Sequence, residues 1–175
     1  LKAIAVKGSS GVSIADPISF KNAYEEMINA LSVTEACDPW IPLYALWGPV
    51  GDVRLFNFLN SLPTENAQKL NAEGVSDDVN GELFLSKHVV KGRTSFGCPW
   101  PGCSKWFEVK QGKYSGCKGQ GTWSGDLMMF GALVGCNSIE AALNARSLCD
   151  QLGLDTFHVS YALSWTMECV EKGIL

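Results

Sequence analysis

The chain has 175 residues, of which 46% are hydrophobic and 18% charged, and a formal net charge of −4; that is enough apolar material for a packed domain core. No Lys/Arg cluster is present to meet phosphates, so nucleic acid is not an expected partner, and no apolar run reaches the length of a membrane span. Seven cysteines cannot all pair, and with no signal-peptide pattern the expected setting is a cytoplasm with reduced thiols.

Leu1 to Gly8 alternates in polarity and predicts a β-strand. A lone strand has nothing to pair with, so an opening on Leu1 and a stop just past a helix C-cap read as a segment of a longer polypeptide. Asp16-Pro17 predicts a helix start, with Asp16 as N-cap and Pro17 in the first turn. Phe20, Ala23, Tyr24, Met27, Ile28 and Leu31 then form one apolar stripe, until Cys37-Asp38-Pro39-Trp40-Ile41-Pro42 ends the helix. A second helix is expected from Val50 to Ser61, ahead of Pro63, and a weaker third from Val79 to Val90, interrupted by Gly81.

Lys91 to Gly125 is dense in Gly, Cys, Pro, Trp and Lys and has no sustained period. It predicts a long functional loop with a short hairpin through Trp106 to Lys110. Helices resume with a short apolar one from Asp126 to Val134. The next, from Asn137 to Leu152, would be capped by Asn137 with Glu140, carry Ile139, Leu143 and Leu148 inward, and close on Gly153. The last is expected from Thr156 to Lys172 with Val159, Ala162, Leu163, Thr166, Met167 and Val170 inward. The fold class is mainly α, a multihelical domain with a short N-terminal strand.

Within the loop, Cys98 and Cys103 flank Pro99-Trp100-Pro101-Gly102. Two thiolates on a tight turn can hold one metal centre; the C-x4-C spacing is equally compatible with two ordinary loop cysteines. Cys117 sits in a glycine-rich stretch beside Lys118, a neighbour that favours thiolate. Cys136, Cys149 and Cys169 read as small buried hydrophobes.

Asp150 falls in the last turn of its helix, where a negative charge opposes the macrodipole unless something compensates. Asp155 is accounted for as the N-cap of the final helix. Both carboxylates can face one side of the Gly153 turn and accept N–H donors from a flat heterocycle. His88 and His158 have no partner at ligand spacing and read as core or surface histidines, with His158 the better candidate because Asp155 is three residues away. The tryptophans read as core, and Trp123 is placed to line a pocket.

LKAIAVKG with a following ADP, then Leu62-Pro63-Thr64-Glu65-Asn66, GKYSGCKGQG, ARSLCDQLGLDT and MECVEKG stand in that order along the chain. In sequence and order they resemble the tungsten-containing aldehyde:ferredoxin oxidoreductase family over essentially the full length. DQLGLD has the family's D-x-x-G-x-D form, one of two motifs that hydrogen-bond the pterins chelating tungsten. The resemblance implies that residues 1–15 end a β-rich, pterin-binding sheet domain and that residues 16–175 form the helical domain after it. It implies cofactor contacts from Asp150, Gly153, Leu154 and Asp155, and [4Fe-4S] ligation by Cys98 and Cys103.

Two departures stand out. The family's cluster run is C-x2-C-x3-C; here its first position falls on Ser95 and the second gap is one residue longer, so either Ser95, Cys117 or a cysteine outside the segment completes the set or the cluster is altered. The family's acidic GPEYE-like stretch reads Gly121-Thr122-Trp123-Ser124-Gly125-Asp126, which leaves only Asp126 acidic and no general acid/base in the usual place. Leu62-Pro63-Thr64-Glu65-Asn66 also carries Glu65 where the family has arginine. A divergent member is implied, with Cys117 as a candidate metal ligand and Cys117 and His158 as catalytic candidates.

The expected function is oxidation of aldehydes to carboxylic acids by a tungsten bis-pterin, iron–sulfur enzyme passing electrons to ferredoxin or another low-potential carrier. The expected substrate is a small aldehyde or an aromatic acyl compound, and the expected assembly a homo-oligomer or heteromer. The alternatives are a tungsten subunit like that of benzoyl-CoA reductases, and a non-catalytic helical module with structural zinc or no metal.

Overall fold

The computed structural model describes residues 4–32, 48–71, 75–94, 96–98, 104–121 and 124–175. The expected helix break at Cys37–Pro42, and Ser95, Cys103 and Trp123, lie outside them. The chain divides into two compact units, Leu1–Pro42 and Leu43–Leu175.

In the first unit, helix α1 (Pro17–Ser32) starts as predicted. Asp16 Oδ1 accepts from the backbone N–H groups of Ile18 and Ser19 at 3.1 and 3.0 Å, and its Oδ2 accepts from the Ser19 hydroxyl at 2.7 Å, which satisfies N–H groups that have no intrahelical acceptor. Phe20, Tyr24 and Met27 of the predicted stripe are exposed. Of the expected opening strand, residues 4–8 lie among the described residues and belong to no ladder there.

The second unit opens with a 3-10 turn, Gly48–Gly51, leading into α2 (Asp52–Phe58). After the one-turn helix α3 (Val75–Asp78) comes α4 (Gly81–Lys87), capped by Asn80, whose side chain accepts from Leu83 N at 2.8 Å. Gly81 therefore begins this helix where an interruption was expected. A Cβ there would sit 2.7 Å from the Val50 carbonyl oxygen, so the absence of a side chain lets α4 lie on the 3-10 turn.

Val89 and Val90, expected to be helical, open strand β1 (Val89–Arg93). It pairs antiparallel with β2 (Ser104–Glu108), which pairs antiparallel with β3 (Lys118–Gln120), giving sheet order β1-β2-β3. The predicted hairpin around Trp106 thus becomes the middle and edge of a three-stranded sheet. Periodicity missed β1 and β3 because they are short and mostly exposed. Phe107 on β2 is fully buried, meets Phe84 edge-on with ring centroids 6.2 Å apart, and faces Gly119, where a Cβ would lie 3.0 Å from its ring.

Beyond the sheet, α5 (Ser124–Leu127) runs into a π-helical segment, Met128–Leu133, whose last five residues are buried. Helix α6 (Ile139–Leu152) is capped by Ser138, whose Oγ accepts from Ala141 N at 3.3 Å; the cap is one residue later than the predicted Asn137. Ile139 and Leu143 face the core as expected, whereas Leu148 is exposed. Helix α7 (Thr156–Glu171) buries Ser160, Ser164 and Cys169. The predicted inward residues Ala162, Leu163, Thr166, Met167 and Val170 are exposed, and Val159 is half-buried. Small residues take the inner face because α7 packs on the π segment and on a turn at residues 65–67. There Glu65, Asn66 and Ala67 all have positive φ, and Asn66 accepts from Ser164 Oγ at 3.0 Å and donates to Glu168. Val53, Leu62, Val79, Phe84, Phe107, Phe130 and Leu143 are among the core residues.

Candidate functional site

Helix α6 gathers most of the chemistry. Its Leu143 carbonyl accepts from the Cys117 thiol at 3.7 Å, and its Ser147 hydroxyl donates to the Lys118 carbonyl at 3.2 Å. The glycine-rich stretch is thereby fastened along one side of the helix. Gly121 ends it with φ +105, and a Cβ there would lie 3.6 Å from Arg146 Nη2, so the loop backbone passes close to that guanidinium. Asp150 lies seven residues beyond Leu143, about 10 Å along the axis at 1.5 Å per residue.

Arg146 is the hub. Its Nε donates to Asp126 Oδ2 at 3.0 Å, and its Nη1 donates to Asp150 Oδ1. The Asp126 side chain is 4% exposed, that of Arg146 17% and that of Asp150 51%, so the pairing runs from interior to surface. Burial works against the charge of Arg146, but the hydrogen bond to Asp150 and the fields of both carboxylates outweigh it and raise its pKa. The compensation that Asp150 needs at the C-terminal end of α6 is therefore present in the chain itself. The i, i+4 spacing of Arg146 and Asp150 is legible in the sequence; the partnership with Asp126, twenty residues earlier, is not.

At the end of α6, Gly153 takes the left-handed conformation (φ 70, ψ 34), and Leu154 N donates back to Cys149 O at 2.9 Å, closing the helix as predicted. Asp155 then caps α7: its Oδ1 accepts from His158 N at 2.9 Å and lies 2.7 Å from His158 Nδ1. The His158 backbone bond first, and its side chain next, hold the Asp155 carboxyl below the usual range. The His158 ring is 89% exposed. Asp150, Gly153, Leu154 and Asp155 thus lie together on one turn, all exposed.

The cysteines divide differently. Cys98 is exposed; of the three cysteines read as buried, Cys149 and Cys169 are buried and Cys136 is only half-buried. Burial pushes the Cys117 thiol up, only partly offset by the Ser147 hydroxyl, which corrects the expectation that Lys118 would favour thiolate. Lys118 is exposed and supplies its carbonyl to this neighbourhood. Among the described residues no three His, Cys, Asp or Glu side chains converge where a metal ion could sit. His88 is a core histidine, buried with Nε2 3.3 Å from Glu140 Oε1. No helix among the described residues is long and apolar enough to cross a membrane.

The described residues thus form a helical domain with a small antiparallel sheet, and present a D-x-x-G-x-D turn at the junction of two helices. Residues 27–175 match the family described as aldehyde ferredoxin oxidoreductase, domains 2 and 3, and the chain belongs to that family. It is 30% identical over 177 residues to the tungsten-containing aldehyde ferredoxin oxidoreductase of Pyrococcus furiosus, covering 99% of this chain and 27% of that protein. It is 31% identical to the enzyme of the same name from Thermococcus kodakarensis, covering all of this chain and 27% of that one. The chain therefore spans about a quarter of the length of these relatives.

Proposed function

We propose that this chain is a pterin-anchoring part of an oxidoreductase that oxidises aldehydes to carboxylic acids with a tungsten bis-pterin, and that ferredoxin or a similar low-potential carrier takes the electrons. The overall reaction adds a water oxygen to the aldehyde carbon and releases two electrons and two protons. When bound, the tungsten centre would accept that electron pair; the protein positions it and shapes its surroundings.

The observation that carries the reading is the exposed Asp150–Asp155 turn on a chain of this family. Two carboxylates, both pure acceptors when ionised, flank a left-handed glycine that leaves the turn free of side-chain bulk. That acceptor set fits a flat ring edged with N–H donors. Asp150 would accept from it at the end of α6, Asp155 at the start of α7, and Gly153 and Leu154 would border it with backbone. Cys98 and Cys103 are proposed to contribute to a [4Fe-4S] cluster. A cytoplasmic location is proposed to go with this chemistry.

The test is expression of the complete protein with tungstate, followed by elemental analysis, pterin release and an assay of aldehyde-dependent viologen reduction. Tungsten, pterin and reduction together are expected. A protein that carries zinc alone and no pterin overturns the reading.

A further inference from the structure

Arg146 bridges a buried carboxylate and an exposed one, and the exposed one is the residue on which the proposed cofactor contact depends. Asp126 is anchored on α5 beneath the surface, and its Oδ2 fixes Arg146 Nε at 3.0 Å. Gly121 passes over the same guanidinium, which limits the directions in which the side chain can swing. Nη1 then holds Oδ1 of Asp150. An unbraced aspartate in the last turn of a helix would sample several rotamers and be repelled by the C-terminal carbonyls. With one oxygen held by the guanidinium, the Asp150 carboxylate has fewer orientations open to it, and its half-exposed side chain keeps the other oxygen available.

We propose that Arg146 is a positioning residue for the cofactor site: braced by Asp126, it orients the Asp150 carboxylate so that the oxygen not held by the guanidinium is presented to N–H groups of a bound pterin. The proposal rests on the reading that Asp150 contacts pterin. Arg146 itself touches neither the pterin nor the substrate. The role suits arginine, because a forked guanidinium can grip two carboxylates in fixed directions, whereas a lysine ammonium is a point donor.

The single variant R146Q would take the guanidinium away from the buried Asp126 carboxylate, so the test uses D126N/R146Q, which removes both charges, beside D150N and R146K. Each is made in the complete protein. Pterin retained after extensive dialysis is measured by its oxidised fluorescent derivative, and the melting temperature is followed in parallel. Partners that orient a ligand-contacting group are typically worth about 10–100-fold in binding. D150N and D126N/R146Q should both retain at least about tenfold less pterin at matched folded fraction. R146K should fold and retain an intermediate amount. If D150N loses pterin while both Arg146 variants keep the wild-type amount, the positioning role is overturned and the pterin contact stands. If D150N keeps its pterin, the contact reading fails and takes the proposal with it. A change confined to melting temperature, with retention in the folded fraction unaltered, marks Arg146 as structural only and also overturns the proposal.

Discussion

Arg146 Nε lies 3.0 Å from Oδ2 of Asp126, a carboxylate almost completely enclosed by the fold. One arginine thus ties the short helix α5 to the middle of α6. Removing one partner of an enclosed pair typically costs about 3–5 kcal/mol; Asp150 still faces Arg146 when Asp126 is gone, so the lower end applies. Asp126→Ala is therefore expected to destabilise the chain by about 3 kcal/mol. Asp150→Asn removes a half-exposed partner of the same arginine and should cost no more than about 1 kcal/mol in stability. Urea unfolding of the two variants checks the order, and equal midpoints would contradict it.

The cap of α6 separates two adjacent residues. Ser138 Oγ accepts from Ala141 N at 3.3 Å, and the same hydroxyl donates to Glu140 Oε2 at 3.2 Å. Substituting alanine for an N-cap serine costs about 1 kcal/mol. Ser138→Ala should lower stability by that amount, whereas Asn137→Ala, outside the cap, should change it by less than about 0.5 kcal/mol. Thermal unfolding of both variants decides which residue starts the helix, and a larger effect at Asn137 would restore the cap expected from sequence.

The Asp155 carboxyl is held below its ordinary range by the His158 backbone N–H first and by the His158 side chain next. A folded-state pKa below the unfolded value means that the unfolded chain binds the proton more tightly. The contribution is therefore full above the unfolded value of about 3.9 and is lost as pH falls through the folded one. Asp155→Asn keeps an N-cap oxygen but no titrating group. Melting temperatures from pH 7 to pH 2 should show the variant below the parent at neutral pH, with the gap closing in acid. A constant gap would mean that the charge of Asp155 plays no part.

Local chemistry made much of the helical framework legible. Asp16-Pro17 announced α1, Gly153 closed α6 and Asp155 opened α7, because caps depend on one side chain and the three or four backbone groups beside it. The same locality made the turn from Asp150 to Asp155 readable as a candidate site, and family resemblance supplied its proposed ligand. Errors arose where a partner distant in sequence decides. Val89 and Val90 are strand because β2 lies alongside, and Gly119 is required because Phe107 stands over it. The inner face of α7 is made of serines and a cysteine because the π segment and the left-handed turn at Asn66 come too close for leucine or methionine.

The sequence by itself determined where α6 ends and α7 begins, and that two aspartates flank a glycine between them. Only the tertiary structure decided that Asp126 and Gly121 meet Arg146, that Arg146 compensates Asp150 at the helix end, and that the Cys117 thiol is turned toward α6 and has its pKa pushed up by burial. Capping is settled within four residues of chain, whereas charge compensation and desolvation depend on what the rest of the fold packs against a side chain.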